Sequence, residues 1–283
     1  MVSSGNPERA MQITGTTRCY PILGHPIAQV RTVPAINAYF AAQAIDAVMF
    51  PMEIAPERID AVLENMRGWS NCGGASVTVP HKQAAFRACD RSSPRAARVG
   101  AVNIIRRDPD GTLVGDMTDG LAFVEALSAN GIAIAGRRIL VAGAAGGAGA
   151  AIVDALCAGG PAAVFLVDPA ADRLAALAGR LAADFPAVEV ARGWPADARV
   201  DLAVNASPVG MRPDDPLPID LERLAPGTPV CDVITKPAMT RLLVEAARRG
   251  HPVQTGNEMA DVQLAFQMRH LGLWPDEKRE EAR

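Results

Sequence analysis

From Cys19 onward, short apolar runs alternate with stretches whose apolar residues recur at helical spacing, the mark of alternating strands and helices. Cys19 to Leu23 reads as a strand, the stretch near Ala35 to Ala44 as a helix, Ala47 to Met52 as a strand and Pro56 to Met66 as a helix. Pro56 followed by Glu57 suits a first helical turn, where a missing N–H is harmless and an acid meets the positive end of the dipole. Gly74 to Val79 is a predicted strand and Gln83 to Cys89 a helix. Two short strands, Ala101 to Arg106 and Thr112 to Gly115, flank a turn at Asp108-Pro109-Asp110-Gly111.

A helix from Asp119 to Asn130 closed by Gly131 opens a more regular βαβα run. It comprises strand Arg138 to Ala142, a glycine-rich turn, helix Ala148 to Ala158, strand Ala163 to Val167 and helix Ala170 to Ala183. Strands Leu202 to Asn205 and Pro229 to Val233 follow, then helix Met239 to Arg249 with its Gly250 stop, a short strand at Pro252 to Gln254 and a last helix from Asn257 to His270. The polar stretch Asp276 to Arg283 reads as a frayed tail, and residues 1–17 as a loose leader without the apolar core of a signal peptide.

The chain has 283 residues, 49% of them hydrophobic, which at roughly 150 residues per domain suggests about two soluble α/β domains. Basic and acidic residues nearly balance, 28 against 31, so no nucleic-acid footprint is expected. The uncharged run Ile139 to Val153 falls short of the ~18 to 20 residues of a membrane helix. Five scattered cysteines without Cys-x-x-Cys spacing fit reduced thiols of a cytoplasmic protein, with neither a disulfide framework nor a metal site. A small-molecule substrate is the expected partner; oligomeric state is not readable.

Gly143, Gly146, Gly147 and Gly149 stand where a strand must turn sharply into a helix, letting backbone approach a pyrophosphate at the helix N-terminus. The spacing is one residue longer than the Gly-x-Gly-x-x-Gly form, so a merely glycine-rich loop is the alternative. The next strand ends at Asp168, about 20 residues on, where a carboxylate would accept from a ribose 2′-hydroxyl and repel a 2′-phosphate. That favours NAD over NADP. The competing role for Asp168 is a helix cap before Pro169, and Arg173 keeps dual cofactor use open.

Five further segments carry a resemblance: Ser76 to Lys82, Gly100 to Asn103, Gly115 to Gly120, Asp201 to Met211 and Gly256 to Gln263. In this order around a glycine-rich turn they resemble shikimate dehydrogenases, the match running from about Tyr20 to Leu273. The resemblance implies an N-terminal α/β substrate-binding domain with a mixed sheet and a Rossmann-like NAD(P)-binding domain. It places residues 18–118 and 257–283 in the first and 119–256 in the second. It further implies reversible oxidation of a ring hydroxyl, in the setting of aromatic amino acid biosynthesis, with Lys82 as acid/base and Asp119 as its partner. Thr32, Ser76, Thr78, Asn103, Thr235 and Gln263 would meet the substrate, and Asn205, Ser207, Val233 and Gly256 would join the glycines and Asp168 at the cofactor. Read without the resemblance, Lys82 is a solvated lysine opening a helix, Asp119 an N-cap, and His81 a packing or surface residue.

The departures from the family pattern fall on the substrate side. Val30 replaces the first of two serines that hold a ring carboxylate, with Thr32 in place of the second and Arg31 between them. Ser76 stands where an Asn is usual, Ile104 for a Thr and Thr235 for a Tyr. Altered donors with Lys82 and Asp119 retained predict retained chemistry on a shifted or relaxed substrate: shikimate, quinate, an amino-substituted ring or another carboxylated polyol. A methylenetetrahydrofolate dehydrogenase-like enzyme and a non-catalytic NAD-binding regulator are the rival readings.

Overall fold

The computed structural model describes residues 13–28, 30–197 and 199–274; the expected frayed tail and most of the expected leader lie outside the described residues. The end of that leader is not loose: Thr16 and Thr17 donate their hydroxyls to Asp46 at 2.8 and 2.7 Å, and Thr17 is buried.

The chain divides into two compact units, Met1–Arg91 with Val102–Gly115, and Ser92–Ala101 with Asp116–Arg283. In the first, β1 (Arg18–Gly24), α1 (Thr32–Ala42), β2 (Ala47–Glu53), a 3-10 turn at Pro56–Arg58, α2 (Ile59–Arg67), β3 (Gly74–Val77) and α3 (Lys82–Ala88) alternate as expected. Then β4 (Arg91–Ser92), β5 (Ile104–Arg107) and β6 (Leu113–Asp116) complete a mixed sheet of order β2-β1-β3-β5-β6-β4, while α4 (Pro94–Val99), between β4 and β5 in sequence, belongs to the second unit. β1 runs parallel to β2 and β3, and β5 antiparallel to β3.

Neither β4 nor α4 is foreseen by the hydrophobic pattern. α4 has six residues, too few to show a period, yet its ends are well signed: the Ser93 side chain accepts from Ala96 N, Pro94 opens the helix and Gly100 closes it at φ +70°. The expected strand at Ala101 begins three residues later, because the Val102 N–H goes to the Lys82 carbonyl rather than to a ladder. β3 likewise stops at Val77, two residues short of the reading, where the chain turns into the cis Val79–Pro80 bond.

The second unit holds α5 (Asp119–Ala129), β7 (Arg138–Ala142), α6 (Gly147–Ala158), β8 (Ala163–Val167), α7 (Ala171–Asp184), β9 (Glu189–Arg192) and β10 (Leu202–Asn205). A 3-10 turn at Leu221–Arg223, β11 (Val230–Asp232), α8 (Arg241–Arg248), β12 (Val253–Gln254) and α9 (Gly256–His270) follow. The sheet order is β12-β11-β10-β7-β8-β9, and its five strand pairs are parallel. Both faces are covered, as a parallel sheet requires. Ile139 and Val141 point into a core with α5, α6 and α7, while Leu140 and Ala142 point into another with α8. The chain leaves β7 toward β8 and β9 on one side and resumes at β10 on the other, which makes β7/β10 the topological switch point.

Helix α9 falls in this second unit. Its partners explain why: Gln263 reaches Asp119 of α5, and the Asn130 amide donates to Glu258 at 2.9 Å. Among the described residues no helix is long and apolar enough to cross a membrane.

Candidate active site

In the first unit, the expected substrate-side residues gather where β1 and β3 end. The Thr78 N–H donates to the Leu23 carbonyl at 2.8 Å, the Val77 N–H to the Asn103 carbonyl at 2.8 Å and the Val102 N–H to the Lys82 carbonyl at 2.9 Å. These backbone bonds bring Ser76, Thr78, Lys82 and Asn103 to one end of the sheet. Gly24 makes the approach of β1 feasible, since a Cβ there would lie 2.5 Å from Thr78 Cγ2. Asn103 is 3% exposed, and Ser76 is buried in register with Ile104. Lys82 is the first residue of α3, half-buried, directly after His81. His81 is a packing residue, 1% exposed and with Nε2 at 2.8 Å from the Ile54 carbonyl. Thr32, half-buried, opens α1.

In the second unit, Asp119 opens α5 and is 4% exposed. Gln263 Nε2 donates to Asp119 Oδ1 at 2.6 Å, so two of the expected site residues meet directly. The next residue, Gly120, lies so close to α6 that a Cβ would strike the Ala151 carbonyl and come within 2.8 Å of Ala155 Cβ.

The glycine-rich turn follows β7 at the switch point. Gly143 has φ +77°, and a Cβ on it would lie 2.5 Å from Ser207 N. A Cβ on Gly149 would collide with the Gly143 carbonyl, so both positions demand glycine for packing. Gly146 is the N-cap of α6, has no side-chain cap, and would meet no atom nearer than the Gly143 carbonyl at 3.4 Å. The first-turn N–H groups from Gly147 onward therefore open on a shallow backbone cradle. Such a cradle fits a dinucleotide's pyrophosphate. Asp168, at the end of β8, accepts from Ala145 N at 3.0 Å and Ala170 N at 2.9 Å. It thus braces the glycine turn and the start of the next connection at once, close to the capping role weighed above; each oxygen keeps a second lone pair for a ribose.

On the other side of the switch point, Asn205 ends β10 with no exposed surface. Its Oδ1 accepts from Ser207 N at 3.1 Å and Ser207 Oγ at 2.6 Å. The Val233 N–H donates to the Asn205 carbonyl at 3.1 Å, and Gly256 lies against the Val233 and Ile234 carbonyls, where a Cβ would clash. Thr235 is half-buried beside the cis Lys236–Pro237 bond. So the expected cofactor residues from Gly143 to Gly256 line the edge of the sheet formed by the carboxyl ends of its strands β7, β8, β10, β11 and β12.

Sequence reasoning passed over Asp232. It is 1% exposed at the end of β11, and burial pushes its carboxyl above the usual carboxylate range, against hydrogen bonds from Ile234 N, Thr240 and Asn205. The available signal was an acid inside an otherwise apolar run. Asp116, also buried and paired with Arg95, was likewise passed over. Among the described residues no three His, Cys, Asp or Glu side chains gather as a metal site.

Residues 22–105 match the model of the shikimate dehydrogenase substrate binding domain. A shikimate dehydrogenase (NADP(+)) of Rubrobacter xylanophilus is 36% identical over 245 residues, 84% of each chain. The crystal structure of shikimate 5-dehydrogenase from Thermus thermophilus in complex with NADP(H) and shikimate superposes with TM-score 0.79 at 31% identity, covering 94% of this chain and 98% of that one. Quinate dehydrogenase from Corynebacterium glutamicum in complex with NAD gives TM-score 0.81 at 26% identity over 94% and 98%.

Proposed function

The chain belongs to the shikimate dehydrogenase family, and from that premise we propose that it reversibly oxidises a ring hydroxyl of shikimate, quinate or a related carboxylated cyclic polyol. It is an NAD(P)-dependent oxidoreductase acting on a CH–OH group. The first compact unit is the substrate half and the second the cofactor half, in a protein of the cytoplasm.

The observation that carries most weight is Asp119, a buried carboxylate held at 2.6 Å by Gln263 and continuous with the fold that presents the glycine turn. A bound nicotinamide supplies the hydride acceptor. The chain's own residues manage the proton and the pose. Lys82 Nζ takes the proton of the reacting hydroxyl in oxidation and returns it in reduction. Asp119 holds a substrate hydroxyl beside the reacting one, with Gln263 fixing the carboxylate's rotamer. Thr32, Ser76, Thr78, Asn103 and Thr235 supply further polar contacts to the ring.

Gly143, Gly146, Gly147 and Gly149 give the dinucleotide phosphates their backbone cradle, and Asn205, Ser207, Val233 and Gly256 form the nicotinamide edge. Asp168 favours NAD, although the Rubrobacter relative is named for NADP(+). Val30 in place of a hydroxyl supports a substrate range wider than shikimate.

The test is absorbance at the nicotinamide band with NAD and NADP against a panel of shikimate, quinate and their amino-substituted analogues. Turnover of at least one of these is expected. No turnover on the whole panel, with cofactor binding intact, would overturn the enzyme reading in favour of a binding regulator. Efficiency on shikimate equal to that of a dedicated biosynthetic enzyme would remove the shifted substrate.

A further inference from the structure

Three hydrogen-bond donors from three different segments converge on one buried carboxylate. Asn205 Nδ2 at 3.2 Å and Ile234 N at 3.0 Å donate to Asp232 Oδ1, and Thr240 Oγ1 donates to Oδ2 at 2.8 Å. Asn205 belongs to the end of β10, Ile234 to the connection after β11, and Thr240 to the N-cap of α8, where its oxygen also accepts from Leu243 N.

What the carboxylate fixes is more than proximity. The Asn205 amide has two orientations related by a flip, and Asp232 admits only the one with Nδ2 toward it. Asn205 Nδ2 then also reaches the Val209 carbonyl at 3.1 Å, and Oδ1 faces Ser207. The turn through Ser207 is thereby set, and Ser207 is the residue packed against Gly143 at the glycine-rich turn. On the other arm, the bond to Ile234 N holds the stretch whose Val233 and Ile234 carbonyls lie against Gly256. Both ends of the cofactor edge trace back to one acid. A carboxylate accepts at both oxygens; an amide would put an N–H at one of them, and Thr240 Oγ1, already accepting from Leu243 N, would have to turn from donor to second-time acceptor.

We propose that Asp232 is a positioning residue for the dinucleotide: it locks the Asn205 flip state and the post-β11 loop so that the Ser207 turn and the Val233 carbonyl are preset before cofactor binds. The proposal rests on the cofactor reading given above. Its role is separate from the chemistry of Lys82 and Asp119, since Asp232 touches backbone and side chains of the edge rather than reacting atoms.

The experiment uses the full chain with NADH and NADPH as probes, read by the change in reduced-cofactor fluorescence, alongside KM for the substrate that the panel identifies. Asp232→Asn should weaken binding of the preferred cofactor at least tenfold and lower kcat, with substrate KM within twofold of wild type. Thr240→Val, which removes one arm and keeps the carboxylate, should weaken it by a smaller factor, and Thr240→Ser should restore it. If Asp232→Asn does not fold, the Thr240 pair decides alone. Cofactor affinity unchanged in Thr240→Val and, where it folds, in Asp232→Asn overturns the role while leaving the cofactor site standing. Wild-type protein that binds neither NADH nor NADPH overturns the cofactor reading itself and the role with it.

Discussion

Gln263 Nε2 lies 2.6 Å from Asp119 Oδ1, so a residue near the middle of α9 holds the carboxylate that opens α5, 144 positions earlier in the chain. Hydrogen bonds to charged groups contribute about 1.5–3 kcal/mol. Gln263→Leu should therefore lower kcat/KM by about 10- to 100-fold through a freed Asp119 rotamer and a lost substrate contact. Steady-state kinetics beside a fluorescence titration of cofactor check this. A cofactor affinity that falls in parallel would mean α9 had shifted as a whole.

Lys82 opens α3 directly after a histidine that is buried and bonded to backbone, so its main chain is well fixed. Loss of a general acid/base typically lowers turnover about 10²- to 10⁴-fold. Lys82→Ala should show that loss with reduced-cofactor binding held within twofold. Turnover near the wild-type value in this variant would dismiss the proposed chemistry.

Asp168 carries two opposed expectations. As a ribose acceptor and phosphate repeller it should set NAD preference, and Asp168→Asn should move the NADP/NAD ratio of kcat/KM toward NADP by about tenfold, some 1.4 kcal/mol. As a brace for Ala145 N and Ala170 N alone, the same substitution should weaken both cofactors equally. The ratio, measured with substrate saturating, separates the two.

Acid stability should report on the start of α9. Thr255 and Glu258 form a capping box, with the Glu258 carboxylate accepting from Thr255 N and Oγ1, each at 2.7 Å, and from Asn130. Desolvation opposes ionisation there, yet the hydrogen bonds win and hold the carboxyl below its ordinary value. A depressed folded-state value means stabilisation is complete above the unfolded glutamate range, about pH 4.3, and is lost as pH falls through the folded value. Glu258→Gln should thus be less stable than wild type by about 1 kcal/mol at pH 7, with the gap closing below about pH 4. Urea unfolding at both pH values measures it; a gap independent of pH would exclude the carboxylate as its source.

Much of the cofactor half is legible from residues alone. β7, β8 and β10 match their predicted spans because each is an apolar run closed by a turn or a polar residue. β9 is not legible: Glu189 and Arg192 bracket only Val190 and Ala191, the composition of a half-exposed edge strand. The expected site residues are those that carry family motifs, whereas Asp232 and Asp116 have no local pattern and become visible only when partners such as Asn205 and Arg95, distant in sequence, are assembled around them. The attachment of α9 to α5 is invisible in the sequence for the same reason, since it rests on pairs such as Gln263 with Asp119.

The chain passes between its two compact units more than once, and α4 shows what that entails for modularity. Arg98 of α4 grips Asp154 of α6 with two parallel bonds at 2.7 and 2.8 Å, although residues 102–115 of the other unit intervene in sequence. No single cut can therefore excise the nucleotide half intact: a fragment beginning at Asp116 would strand Asp154 without its arginine. A transplant of this half into another scaffold would have to carry α4 in trans or by circular permutation.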